Sequence, residues 1–329
     1  MNSGRKAEKL VILDWATMGG GALTTEPFHA LAETVEVYPL TKPEETISRI
    51  GDADLVICNK VLMTEAVMDA CPKLRYVGLL ATGFNNVDIA AADAHGITVC
   101  NAGSYSTDAV AQLVFSYILD YSMRVSEYAA AVRNGAWERS ETFSYFPIPT
   151  AELSGKTLAV IGYGSIGKAV AKIGAAFGME IVVATRTVPK DCPYRLVTTD
   201  EAFALADILT LHCPLNEGTK GIVNREHLSK MKKTAVLINT SRGGVVVEQD
   251  LADALNAETI AAAYLDVLER EPMTADTPLK TAKNCIITPH IAWTPLDTRM
   301  RLCAIVTENV RAFLDGRPMR VVNHPRLDG

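Results

Sequence analysis

Two kinds of apolar pattern alternate along this chain. Short runs of consecutive hydrophobic residues stand at 10–14 (LVILD), 35–39 (VEVYP), 53–59 (ADLVICN), 74–81 (LRYVGLLA) and 97–101 (ITVCN). Between them, segments such as 64–70 and 87–95 have helical spacing. Alternation of this kind predicts βαβ units on a parallel sheet, so the first region is expected to be α/β with these five strands. Residues 106–137 follow a different rule: Val110, Leu113, Val114, Tyr117, Ile118, Tyr121 and Val125 recur at intervals of three and four. Ser106, Thr107 or Asp108 can cap the start. The spacing predicts a long helix, broken near Asn134 and Gly135, that passes from a first domain into a second. A polar, aromatic loop with prolines follows at 138–150.

From residue 157 the strand-like runs resume with TLAVI and continue at 180–185, 208–213, 235–240, 262–267 and 285–290. Six strands with intervening helices make a complete doubly wound dinucleotide domain. The last segment, 295–314, is helical again and too short to be a domain. It is expected to return to the first domain and make it discontinuous, giving 1–104 with 292–329 as one domain and 105–291 as the other.

Composition narrows the class. The chain has 329 residues, 48% of them hydrophobic and 21% charged, which describes a well-buried soluble protein. A net charge of -6 without any basic stripe argues against a nucleic-acid surface. The opening segment MNSGRKAEKLVILDW has an apolar run too short for a signal sequence and interrupted by Asp14, and no window approaches a membrane span. The seven cysteines have no CxxC pairing. That pattern suits reduced, mostly buried thiols in a cytoplasmic protein with no zinc site.

Candidate chemistry begins at 157–167, TLAVIGYGSIG, where Gly162, Gly164 and Gly167 have GxGxxG spacing between a strand and an alanine-rich helical stretch. The first glycine permits a tight turn, the second lets backbone approach a pyrophosphate, and the third allows close helix–strand packing. Ligands of doubly wound sheets lie at the carboxyl ends of strands. There, 235–240 runs into Ser241-Arg242-Gly243-Gly244, 262–267 into Leu268-Glu269-Arg270-Glu271-Pro272, and 285–290 ends at His290. An arginine, a carboxylate and a histidine thus reach one rim from three successive strands, which suits acid/base work. Spacing does not choose between Glu269 and Glu271. His29, His95, His212, His227 and His324 lack such company, although His212 can serve through its backbone.

These segments together resemble a known family. INTSRGG, LDVLEREP and ITPHIAW, in that order after GYGSIG, are similar to the D-isomer-specific 2-hydroxyacid dehydrogenases, and LLATGFNNVDIAAA and NAGSYSTDAVAQ resemble the family's substrate-side segments. The loop FSYFPIPTAELSGKTL is closest to the glycerate dehydrogenase (hydroxypyruvate reductase) branch. The resemblance implies a Rossmann dinucleotide-binding domain beside a discontinuous flavodoxin-like substrate domain, and a homodimer whose surface is the long helix with the aromatic loop. It implies that His290 is the general acid/base with Glu271 as its partner, and that Arg242 binds the substrate carboxylate. A carboxylate beside the imidazole favours its protonated form, and an arginine fork matches a planar carboxylate. The N–H groups of Thr82 and Gly83 are the implied second anchor, with Tyr105 facing the same pocket. Ser165 and Ile166 are placed over the pyrophosphate, Cys213, Pro214, Thr219 and Thr240 in the cofactor cleft, and Asp266 at the nicotinamide amide.

One departure concerns the cofactor. An NAD-preferring member carries an acidic residue after the second strand of this domain, where this chain has Thr185-Arg186-Thr187. An arginine flanked by hydroxyls welcomes a 2′-phosphate, so NADP is expected ahead of NAD. Hydroxypyruvate and glyoxylate are the expected substrates, with Asn59, Lys60, Leu80 and Trp293 as candidates for specificity. Phosphoglycerate dehydrogenase is disfavoured because the chain ends at Gly329 without an appended regulatory domain. Formate dehydrogenase is disfavoured because a protonatable Glu271–His290 pair serves a proton transfer that formate oxidation lacks. A nucleotide-sensing protein resembling the corepressors built on this fold is the alternative from another class.

Overall fold

The computed structural model describes residues 5–325 apart from 20, 22 and 188, so the first four residues of the opening segment lie outside it. The chain divides into two compact units: one runs up to Tyr105 and resumes at Thr294, and the other is Ser106–Trp293.

In the first unit, strands β1 (Ala7–Ile12), β2 (Ala32–Val37), β3 (Leu55–Cys58), β4 (Tyr76–Leu79) and β5 (Thr98–Cys100) form one parallel sheet in the order β2-β1-β3-β4-β5. The order reverses between β1 and β3, which makes their carboxyl ends the switch point of a doubly wound sheet. β3, β4 and β5 are buried at every position because helices cover both faces. The helix Leu296–Leu314 belongs to this unit. It buries Leu302, Val306 and Val310, sets Phe313 against Tyr76 with ring centroids 4.8 Å apart, and ties Asn309 to the Asn101 carbonyl at 2.8 Å.

The second unit carries a seven-stranded parallel sheet in the order β12-β11-β10-β9-β6-β7-β8. Its strands are β6 (Thr157–Ile161), β7 (Glu180–Ala184), β8 (Arg195–Leu196), β9 (Ile208–Leu211), β10 (Val236–Asn239), β11 (Ala262–Leu265) and β12 (Cys285–Ile287). Alternate residues of β6 enter different cores: Ala159 and Ile161 face one, Leu158 and Val160 the other. The second core also takes Val114, Phe115 and Ile118 from the long helix, and Phe115 stacks on Phe177 at 5.5 Å.

Three expectations need correction. The seventh strand, β8, is two exposed residues long and adds to the six that the pattern predicts; it is too short to carry a period. The strands stop earlier than the apolar runs, at Leu211, Asn239, Leu265 and Ile287, so the polar residues that follow lie in loops. The long helix breaks at Arg124, giving Thr107–Met123 and Val125–Arg133, while Asn134 and Gly135 end the second piece. Arg124 adopts φ 50°, with its guanidinium 5.0 Å from the Tyr121 ring and 2.8 Å from Glu127. These contacts hold the turn where the sequence, YSMRVSE, has no glycine or proline to mark the break. Both pieces lie in the second unit.

Candidate active site

The glycine loop is dictated by space. Gly162 has φ 92°, and a Cβ there would lie 2.6 Å from the His212 carbonyl carbon and the Cys213 nitrogen. A Cβ on Gly167 would lie 2.1 Å from the Gly162 carbonyl oxygen, so the helix Ser165–Ala176 presses directly on the turn. Around Gly164, at the head of that twelve-residue helix, nothing lies within 4 Å of where a Cβ would be. The two outer glycines thus close the loop, and the middle one faces open space at the N-terminus of the helix, whose first N–H groups have no carbonyl partner within the helix itself. Thr240, after β10, has a buried hydroxyl with no hydrogen-bond partner among the described residues. An open glycine, a helix N-terminus and an orphaned hydroxyl at one carboxyl edge fit a dinucleotide.

Other expected cofactor contacts distribute around this edge. Ser165 and Ile166 begin the helix. His212 donates its N–H to the Ile161 carbonyl at 2.7 Å and places its ring nitrogen 2.9 Å from the Thr210 hydroxyl; burial pushes its pKa down to about 3. Cys213 is buried, which raises its thiol pKa. The Thr219 hydroxyl closes the loop after Pro214, donating to the Pro214 carbonyl at 2.5 Å and accepting from the Asn216 N–H at 2.9 Å. Thr185, Arg186 and Thr187 follow β7, and Arg186 is exposed and in no ion pair among the described residues.

Arg242, Glu271 and His290 leave the carboxyl ends of three neighbouring parallel strands, β10, β11 and β12. Buried Asn239 shapes the first loop: its side-chain oxygen accepts from Ser241 N–H at 3.0 Å, and its amide donates to the Arg242 carbonyl at 2.9 Å. Gly243 then brings two loops into backbone contact. A Cβ there would sit 1.8 Å from the Leu268 carbonyl carbon and 2.2 Å from the Glu269 nitrogen, so the Arg242 turn lies against the loop that carries Glu271. Geometry selects Glu271 over Glu269. One Glu271 oxygen lies 2.7 Å from His290 Nδ1 and the other accepts the Leu268 N–H at 3.1 Å. A carboxylate oxygen can only accept here, so Nδ1 carries the hydrogen of this pair and Nε2 stands outside it.

His290 itself has φ 54°, the left-handed region. Asp266 holds that turn: its carbonyl accepts the His290 N–H at 2.9 Å, and its carboxylate accepts Ile291 N–H at 2.7 Å, Ala292 N–H at 2.8 Å and the Thr288 hydroxyl at 2.6 Å. Sequence reasoning missed this anchoring role and gave Asp266 only a cofactor contact. A second correction concerns company: His95 and His227 also meet carboxylates, Asp69 at 3.0 Å and Asp200 at 2.9 Å. What sets His290 apart is its place at a strand's carboxyl end and its turn, not the pair alone.

The expected substrate-side residues belong to the other unit. Thr82 and Gly83 follow β4, and neither N–H has an acceptor among the described residues. The Thr82 carbonyl accepts from Asn101 at 2.6 Å. Tyr105 is buried, with its carbonyl held by Arg301 at 2.8 Å. At the switch point, Asp14 is buried and accepts the N–H groups of Asn59 at 2.8 Å and Lys60 at 2.6 Å. Leu80 is buried, and Trp293, which closes the Ser106–Trp293 unit, is half-buried. The seven cysteines are all free, and no group of metal-ligating side chains occurs among the described residues. No helix among these residues is long and apolar enough to cross a membrane.

Residues 115–292 match the family model for the D-isomer specific 2-hydroxyacid dehydrogenase NAD binding domain. The chain is 43% identical over 323 residues to a hydroxypyruvate reductase of Blautia hydrogenotrophica, covering 96% of this chain and 99% of that one. It is 37% identical over 317 residues to a glycerate dehydrogenase of Methylorubrum extorquens, with coverage of 96% and 99%. A solved NADPH-dependent glyoxylate/hydroxypyruvate reductase from Sinorhizobium meliloti, in complex with citrate, has a similar structure. Its TM-score is 0.81 at 27% identity, over 97% of this chain and 99% of that one.

Proposed function

The chain belongs to the D-isomer specific 2-hydroxyacid dehydrogenase family and is a nicotinamide-dependent oxidoreductase; we propose that it reduces hydroxypyruvate, and glyoxylate after it, to the 2-hydroxy acid. The observation that carries this reading is the 2.7 Å pair of His290 Nδ1 and Glu271, on loops beside the Arg242 turn. The near full-length similarity to proteins named hydroxypyruvate reductase and glycerate dehydrogenase supports the substrate.

In this reading, the Ser106–Trp293 unit holds the dinucleotide. Bound reduced nicotinamide supplies the hydride for C2 of the keto acid. Arg242 binds the substrate carboxylate through its planar fork and draws electron density from the adjacent carbonyl. His290 gives the proton on Nε2 to the oxygen that becomes the hydroxyl, while Glu271 keeps Nδ1–H in place and stabilises the charged imidazole before transfer. The neutral imidazole that remains takes a proton from solvent to complete the cycle.

NADP is favoured over NAD because exposed Arg186 stands after β7, where a carboxylate would repel a 2′-phosphate. Arg186→Asp then raises the KM for NADPH roughly tenfold or more and leaves that for NADH nearly unchanged. A homodimer is favoured by an aromatic hollow lined by Tyr128, Val132, Trp137 and the Phe143–Phe146 loop, with Phe143 91% and Phe146 77% exposed. A monomer by light scattering overturns that. A cytoplasmic location is favoured by seven cysteines that form no disulfide.

The test of the substrate is an initial-rate comparison of hydroxypyruvate, glyoxylate and pyruvate, each with NADPH and with NADH. Fastest turnover of hydroxypyruvate with NADPH is the expected result. Preference for another 2-keto acid changes the substrate alone. No turnover by folded protein that still binds dinucleotide points to a sensing role.

A further inference from the structure

The His290 turn is held by more than Asp266. The Thr288 hydroxyl has one proton and donates it to the Asp266 carboxylate at 2.6 Å. Its second contact is the Tyr117 hydroxyl, and there Thr288 can only accept, so Tyr117 is the donor. Burial, with the Asp266 charge nearby, pushes the Tyr117 pKa well up, which keeps that proton in place at any working pH. Tyr117 is itself fixed. It lies buried on the helix Thr107–Met123, its ring is 5.1 Å from that of Tyr264 in β11, and Tyr264 donates to Asp120 of the same helix at 2.8 Å. A directional chain therefore runs from the helix through Tyr117 and Thr288 to the carboxylate that gathers Ile291, Ala292 and, through its own carbonyl, His290.

The turn needs this support. A non-glycine residue at positive φ costs on the order of 1–3 kcal/mol and persists only when its surroundings over-determine it. The strand has already ended at Ile287, so the ladder alone does not fix residue 290. With Thr288 reduced to a methyl-bearing isostere, Asp266 loses one of three donors to its carboxylate, and Tyr117 loses its acceptor inside the core.

We propose that Tyr117 and Thr288 are positioning residues for proton transfer: acting through Asp266, they hold the His290 backbone in the one conformation that places its imidazole on Glu271 and toward the substrate. This rests on the reading of His290 as the proton donor. It adds Tyr117, on the helix Thr107–Met123, and Thr288, in the loop after β12, to the residues that set the imidazole.

The test uses Thr288→Val, Thr288→Ser and Tyr117→Phe in the full-length protein, alone and combined with His290→Ala. Thr288→Val lowers kcat for keto-acid reduction roughly tenfold and Tyr117→Phe roughly threefold, with substrate KM and dinucleotide Kd within about twofold of wild type. Thr288→Ser, which keeps the hydroxyl, recovers most of the loss. In the His290→Ala background the same changes alter the residual rate by less than about twofold, because their effect passes through the imidazole. Equal losses in both backgrounds, or no rescue by serine, overturn the proposal. A second readout is independent of turnover: the His290 ring resonances, followed by NMR, shift in Thr288→Val and return in Thr288→Ser. An unmoved His290 resonance overturns the proposal even if the enzyme reading stands. A shifted resonance in a protein without keto-acid turnover overturns the enzyme reading and leaves the positioning role in place.

Discussion

Asp14 and Asp266 occupy equivalent places in the two sheets. Each follows a strand, each is buried, and each gathers N–H groups from the loop leaving the neighbouring parallel strand. Asp14, after β1, takes Asn59 and Lys60 beyond β3, with the Val61 N–H close by. Asp266, after β11, takes Ile291 and Ala292 beyond β12. The differences lie in what is added. Asp14 is held by backbone donors, and burial outweighs them enough to raise its pKa. Asp266 takes the Thr288 hydroxyl, which Tyr117 backs, and its carbonyl accepts the His290 N–H from the loop beyond the neighbouring strand, whereas the Asp14 carbonyl accepts the Thr17 N–H and hydroxyl from its own loop. The hydroxyl relay goes to the loop whose backbone is left-handed, at His290, the proton donor of the proposed reaction. A parallel sheet supplies the carboxyl edge, and what the donors around a buried carboxylate are themselves tied to sets how its loop is held.

The comparison can be broken most severely at Gly243. Alanine there meets the Leu268 carbonyl carbon at 1.8 Å and drives the Arg242 turn off the Glu271 loop. Thermal unfolding is expected to register a loss of several kcal/mol, with turnover abolished. Glu271→Gln spares the backbone and removes the charge from the pair: kcat falls about a hundredfold while fluorescence titration finds dinucleotide affinity unchanged.

The two aspartates can then be set directly against each other. Asparagine at either site points an amide N–H₂ at backbone donors and costs roughly 1–3 kcal/mol in denaturant unfolding. Asp266→Asn also lowers kcat more than about tenfold, whereas Asp14→Asn keeps kcat within about threefold and raises substrate KM. Equal kinetic effects would erase the distinction between the edges.

The smallest effect concerns His212. Its folded pKa, about 3, lies below the unfolded value near 6.5, so the unfolded chain takes up the proton first. The stability it contributes is complete above the unfolded pKa and is lost as pH falls from there toward the folded one. Unfolding free energy is expected to drop by ~1–2 kcal/mol between pH 7 and pH 5 relative to His212→Gln.

Legibility in the sequence followed the range of the physical constraint. Gly167 was readable because its need is met within a few residues, on the Gly162 carbonyl of the same βα turn, and Gly162 because the turn itself takes φ 92°, although the backbone it closes on, His212 and Cys213, leaves the neighbouring strand. Arg242 and His290 were readable because parallel strands deliver their exits to one edge. Glu269 and Glu271 could not be separated by spacing, since both ride one loop and only the carboxylate's approach to Nδ1 decides between them. Asp14, Tyr117 and Thr288 carried no local signal. Their partners are 45 residues away for Asp14 and 171 for the Tyr117–Thr288 pair, so only the fold reveals them. The helix break at Arg124 was equally silent, because side-chain contacts rather than a glycine hold its turn.

The central claim is that His290 delivers the proton in keto-acid reduction. The most direct measurement is kcat for hydroxypyruvate with NADPH in wild type and in His290→Ala, with dinucleotide binding and thermal unfolding checked on the same preparations. A fall of about a hundredfold to ten-thousandfold in kcat, with binding and folding intact, is the predicted result. A kcat within threefold of wild type would contradict it and move the search for the donor away from the β12 edge.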